Sequence, residues 1–435
     1  MDNREIIAIL GQWNFWQKEI DTGLARPKYV EKLYEQKDLK EVSVITGVRR
    51  CGKSTALLQS LKEIIKSGAP AENILYVNFE EPAFAADLDL NFLLRIYDAY
   101  KEKFLPKGKI YVALDEVHMV PQWERFVRGV YDRGDNVKFY ITDSSSHLLS
   151  KEYGQSLTGR IFSNAIYPLS FREFLFFKNK VELLEAGRMG ADSAALRHAF
   201  LEYLEFGGFP QITLTKDAGM KRQLLKEYYS AIIEKDIDSR YKIRDTRRLK
   251  EFCLLAMTQN GLQMSGYLAQ KKQDISQPTA NKFLSYLEEV FLMQSAGYFS
   301  YSLARQQKWP KKFYSIDTGI YNAVSFKFSE NIGRVFENAV FLSFKRDNRD
   351  VFYWQEKKET DFVVREGRTV KRLANVCWDL SEENKNREIE SLEESMKKFK
   401  LPESELITLR YGDEIKTQSG SVKIKNFFDM PEMID

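Results

Sequence analysis

Residues 42–59 read VSVITGVRRCGKSTALLQ, and the fold turns on them. An apolar, β-branched run from Val42 to Thr46 gives way to a glycine-bracketed loop, then to a helical pattern of Ala56, Leu57, Leu58 and Leu61. Inside lies G-x-x-x-x-G-K-[ST], as Gly47, Gly52, Lys53 and Ser54. Strand, loop and helix in that order make a phosphate cradle. Backbone N–H groups at the positive end of the helix supply the donors that polyphosphate oxygens require. On this reading Gly47, Val48, Arg49, Arg50, Cys51, Gly52, Lys53, Ser54 and Thr55 bind the nucleotide. Lys53 reaches the terminal phosphates and Ser54 offers its hydroxyl to magnesium.

A phosphate loop alone arises by chance in a long chain, so a second element is needed. It stands in IYVALDEV, where an apolar strand ends in Asp115 and Glu116. Asp115 is placed to hold magnesium, directly or through water, and Glu116 to polarise an attacking water. The strand VKFYIT leads to Thr142 and Ser144, either a polar sensor of the γ-phosphate or plain turn chemistry. Arg160 is a candidate arginine finger, in its own subunit or a neighbour. Cys51 is either a small loop residue or a thiol activated by the helix N-terminus. Arg26 and Tyr29, ahead of the first strand, either border the base or pack.

Strand-like VSVIT, ILYVNF, IYVALDEV, VKFYIT and FSNAIYPL alternate with helical patterns, which predicts an α/β, doubly wound parallel sheet. The partition expected is an aromatic N-terminal segment (1–40), the ATPase core (41–169), a helical lid (170–235) interrupted by FGGFP, a winged-helix-like domain (236–330) and a separate α/β module (331–435). At 435 residues, with roughly 150 per domain, about three units are expected.

Sixty-six basic and sixty-two acidic residues leave a net charge of +4, so no global field marks a nucleic-acid binder. Three distant cysteines argue against a disulfide framework and for a reducing, cytoplasmic setting. No apolar run approaches the roughly 20 residues of a membrane span, and MDNREIIAIL lacks the features of a signal peptide.

GVRRCGKST, LDEVHMVPQWERFV, ITDSSSHLLS, LTGRIFSNAIYPLSFREFL, FGGFP, EKDI (234–237), KKFYSIDTGI and FENAVF together resemble a prokaryotic AAA-type P-loop ATPase family with a C-terminal region of uncharacterised function. The resemblance implies an AAA core, a helical lid, a winged helix and a restriction-endonuclease-like module, with ATP and Mg2+ bound and ATP hydrolysed. Asp143 departs from it, since such proteins usually carry glycine there. A carboxylate beside triphosphate repels it, so Asp143 is expected to point out of the site.

Nucleases of the C-terminal kind hold metal with a helix Glu, a strand Asp and E-x-K on the next strand. Glu337 and Asp361 fill the first two places, while Asn375 and Cys377 stand where Glu and Lys belong. A retained fold without cleavage is expected. Gln277, Thr279, Asn281 and Lys282 face outward on the third winged-helix helix, beside Arg240, Lys242, Arg244, Arg247, Arg248 and Lys250. DNA is one partner reading and a protein is another. The function expected is an Mg-dependent ATPase that couples nucleotide state to domain rearrangement. The alternatives are a slow, DNA-binding or regulatory switch and a metal-dependent nuclease. Oligomeric state is not legible.

Overall fold

The computed structural model describes residues 1–146, 159–188, 193–325, 332–410 and 412–435. They form two compact units, Met1–Ile166 and Tyr167–Asp435. His147–Ser150 of the ITDSSSHLLS stretch, and Leu157 and Thr158 of LTGR, lie outside the described residues.

The first unit is built on a parallel sheet of β1 (Val42–Thr46), β2 (Ile74–Asn78), β3 (Ile110–Asp115), β4 (Val137–Asp143) and β5 (Ile161–Ala165). Their order is β2-β3-β4-β1-β5. Every residue of β1 and β4 is buried, as strands covered on both faces must be. Because the strands are parallel, the phosphate loop after β1, the acidic pair at the end of β3 and Asp143 at the end of β4 emerge along one carboxyl edge. Ligands of open parallel sheets bind at that edge.

The N-terminal segment covers the outer strand. Asn14 donates Nδ2–H to Tyr76 O and accepts from Tyr76 N on β2, and the Trp16 indole donates to Ile74 O at 2.7 Å. Backbone groups that an edge strand would leave open are thereby satisfied, which blunts the edge.

The second unit opens with helix Phe171–Phe177, started by a Ser170–Glu173 capping box. Helices Ser193–Phe206 and Ala218–Ala231 follow, the latter running into a π-helical turn at Ile232–Asp238. The FGGFP turn is tied to a later loop. Asp317 accepts from Gly208 N at 2.7 Å, Gly319 N at 2.9 Å and Ile320 N at 3.2 Å. Gly207 has φ +74, and a Cβ there would stand 1.9 Å from Asp317 Oδ1, so only glycine fits.

Helices Thr246–Thr258, Gly266–Gln270 and Gln277–Glu289, the last capped by Ser276, interleave with β6 (Leu262–Met264), β7 (Met293–Tyr298) and β8 (Lys311–Ser315). The remaining strands are β9 (Asp350–Gln355), β10 (Glu359–Glu366), β11 (Thr369–Val376), β12 (Glu403–Thr408), β13 (Glu414–Thr417) and β14 (Gly420–Asn426). All nine lie in one mixed sheet, ordered β13-β14-β12-β11-β10-β9-β7-β8-β6. The separation expected at residue 331 is not a break in the sheet. β7 pairs with β9 through Gly297–Phe352 and Tyr298–Tyr353, and Phe299 N donates to Tyr353 O at 2.7 Å. No helix among the described residues is long and apolar enough to cross a membrane.

Candidate functional site

At the carboxyl edge of the first sheet, the loop from Gly47 to Gly52 turns through positive φ at Gly47 (150°), Arg50 (68°) and Gly52 (101°). A Cβ on Gly47 would come within 2.1 Å of Ile166 O, so the close approach demands glycine. Helix Lys53–Lys66 begins with no side-chain cap at Gly52, leaving its first N–H groups toward the loop. Lys53 is buried, with its ammonium 3.1 Å from Gly47 O and 3.6 Å from Glu116 Oε1.

The acidic pair is fixed from both sides. Tyr76 donates its hydroxyl to Asp115 Oδ2 at 2.6 Å, and Thr142 donates its own to Asp115 Oδ1. Thr142 Oγ1 in turn accepts from Glu116 N at 2.9 Å. Thr142 thus links β4 to both carboxylate residues, while Ser144 is buried two residues on. Each Asp115 oxygen keeps lone-pair capacity, so with Ser54 the set fits an oxygen-loving dication. Glu116 is buried, and its Oε2 makes no hydrogen bond. Burial pushes its proton affinity up; Lys53 opposes the shift, and Asp115 and Asp143 add to it.

One expectation is corrected here, and two open readings are narrowed. Asp143 does not point away. It is fully buried, with Oδ1 3.2 Å from His118 Nδ1, and Ser145 N and Oγ donate to its carboxylate at 3.0 and 3.3 Å. The two Ser145 donors hold a carboxylate that the sequence alone leaves without partners. Arg160 is not brought to the loop in its own chain. Val42 N donates to its carbonyl at the amino end of β1, and its guanidinium pairs with Asp132 at 2.8 Å over the Tyr131 ring. The thiol of Cys51 is fully buried and faces Ile166 O at 3.3 Å. Burial pushes that thiol up, away from the reactive thiolate.

Arg26 packs and does more. Buried over the Tyr29 ring, it donates Nη1–H to Cys51 O at 2.9 Å and so braces the phosphate loop from behind. Arg49 pairs with Glu80 at 2.8 Å.

A second charged cluster lies in the nine-stranded sheet. Glu337 on helix Ile332–Arg346 and Asp361 on β10 converge, as expected, but a lysine is with them. Lys312, 3% exposed on β8, places its ammonium 3.2 Å from Glu337 Oε1, 2.7 Å from Glu359 Oε1 and 3.3 Å from Asp361 Oδ1. Tyr314 donates to Glu337 Oε1 at 2.7 Å. Burial opposes the charge on Lys312, and the carboxylates outweigh it, holding the ammonium well above its ordinary range. Burial and Glu337 hold Asp361 protonated to higher pH than usual, against the pull of Lys312. Asn375 is bonded to Asp361 N and Glu388 Oε2, and the Cys377 thiol is turned to Asp379 O. The ammonium therefore lies among the carboxylates that a nuclease would give to metal, and the residues present do not fit an open dication site.

On the helix bearing Gln277, Asn281 accepts from Gly266 N at 3.0 Å and is tied to the neighbouring helix. Arg247, Arg248 and Lys250 pair with Glu251, Asp245 and Glu234.

An AAA-domain family matches residues 39–175, and a domain family of unknown function matches residues 197–331. An uncharacterised protein of Methanocaldococcus jannaschii is 35% identical over 387 residues, covering 86% of this chain and 83% of its own. One from Haemophilus influenzae is 31% identical, covering 79% of this chain and 84% of its own. Among solved structures, a Walker-type ATPase of Pyrococcus abyssi aligns with TM-score 0.44 and 16% identity, over 69% of this chain and 95% of its own.

Proposed function

Because the chain belongs to a prokaryotic AAA-type P-loop ATPase family that carries a C-terminal region of uncharacterised function, we propose that it binds ATP with magnesium and hydrolyses it to ADP and phosphate. The observation that carries this reading is the buried Glu116 carboxylate, whose Oε2 has no hydrogen bond, held beside Lys53 and Asp115 at the mouth of the phosphate loop. The loop N–H groups and Lys53 bind and orient the phosphates. Ser54 and Asp115 would hold magnesium, which supplies charge neutralisation on the phosphoryl oxygens. Glu116 accepts a hydrogen bond from the attacking water, and Thr142 keeps Glu116 and Asp115 in register with β4. Arg160 serves as a finger only toward a neighbouring subunit, once freed from Asp132.

In the second unit, helix Thr246–Thr258, β6, two helices and the strands β7 and β8, with the short helix Leu303–Lys308 between those two strands, support the winged-helix reading for 236–330. The lid at 170–235 and the module at 331–435 stand as proposed divisions of one unit. Nucleotide state is read out by rearrangement within this unit and by a bound partner. ATP turnover with and without duplex DNA, at low and moderate salt, tests the partner. The basic side chains already paired with carboxylates favour turnover indifferent to DNA, and strong, salt-sensitive stimulation would reverse that choice.

No nuclease activity is expected. Incubation of purified protein with DNA or RNA and magnesium or manganese should leave the nucleic acid intact. Cleavage abolished by Asp361→Ala would show that Lys312 yields its place to metal.

A further inference from the structure

We propose that Glu116, His118 and Asp143 form a site for a borderline divalent transition-metal ion of the zinc class, distinct from the magnesium position at Ser54 and Asp115. The three side chains offer ligand atoms that all lie within 4.8 Å of one another. His118 Nδ1 stands 3.4 Å from Glu116 Oε2 and 3.2 Å from Asp143 Oδ1, distances that a shared ion closes with small side-chain shifts.

Two atoms of the cluster are unsatisfied. Glu116 Oε2 and His118 Nδ1 are buried and make no hydrogen bond, although the Glu116 side chain is only 9% exposed. A buried polar atom without a partner carries a desolvation cost, and a ligand that takes both atoms removes it. The scaffold is stiff at each corner. Glu116 follows β3 at φ 53, His118 lies on the tight turn Val117–Met119, and Asp143 closes β4 under the Ser145 donors. The His118 side chain is 27% exposed, which leaves an entry path.

The donor set chooses the metal. One imidazole nitrogen and two carboxylates suit zinc, cobalt or nickel, whereas magnesium prefers oxygen alone and gives up its water reluctantly. The Glu116 and Asp143 carboxylates are both buried and raise each other's cost of ionisation, so a dication between them offsets their repulsion. If Glu116 is the water-polarising base, as proposed above, the ion engages that carboxylate and stops turnover. The site would then make hydrolysis sensitive to transition metal.

The test uses nucleotide-free full-length protein, stripped with chelator and titrated with Co2+ in excess Mg2+. Ligand-field absorption and equilibrium dialysis report binding. One ion per chain is expected, with affinity lowered about tenfold or more by His118→Gln and likewise by Asp143→Asn, while both variants still bind ATP as proof of folding. Absence of stoichiometric binding in the wild type, or unchanged affinity in His118→Gln, overturns the proposal. Turnover by the metal-free wild type is measured alongside. Cobalt binding without turnover leaves the site standing and removes the hydrolase reading.

Discussion

Glu116→Gln should bind ATP within a few-fold of the wild type and hydrolyse it about 10²–10⁴-fold more slowly, the range over which a positioned general base contributes. The amide keeps the size of the side chain and its backbone N–H to Thr142 Oγ1, so the loop, Lys53 and Asp115 stay in place. What it loses is the acceptor strength that orients water. Lys53→Ala should instead remove binding, because it deletes the buried ammonium that the loop holds for the terminal phosphates. Equilibrium binding of a labelled ATP analogue and steady-state phosphate release separate the two effects. Equal turnover in Glu116→Gln and wild type would move the base elsewhere.

The largest effect on stability is expected at Lys312. Replacing it by methionine leaves Glu337, Glu359 and Asp361 facing one another without their shared cation. Removing one partner of a buried pair costs about 3–5 kcal/mol, far more than an exposed pair is worth. A urea titration should show this as a lowered midpoint, partly recovered by adding Glu337→Gln, which removes one of the stranded charges. A loss below about 1 kcal/mol would mean that water screens the cluster.

The parts that were legible in the sequence are local. The phosphate loop announces itself within eight residues, Asp115 and Glu116 follow an apolar run directly, and β1, β3 and β4 of the parallel sheet are almost wholly buried, so their text is largely apolar. What escaped depends on contacts made far along the chain. Lys312 is 49 residues from Asp361, and Arg26 is 25 from Cys51. One signal for Lys312 was available: it sits in KKFYS, where Lys312, Phe313, Tyr314 and Ser315 are all buried, an unusual place for a lysine unless acids await it. The setting of Asp143 is not legible locally because its neighbours come from different places in the chain: His118 lies on another strand's exit, and Ser145 is two residues away.

The sheet that runs through β7 and β9 also bears on how such a chain is inherited. Modules joined by a linker are readily lost or exchanged when genes recombine, since the cut falls where little is shared. A break at residue 330 would strip β9 from Tyr298 and Phe299 and leave β7 as an open edge, a template for aggregation. Lys312, on the near side of that break, would lose all three of its acids. Loss of the region beyond residue 330 therefore carries a severe structural penalty.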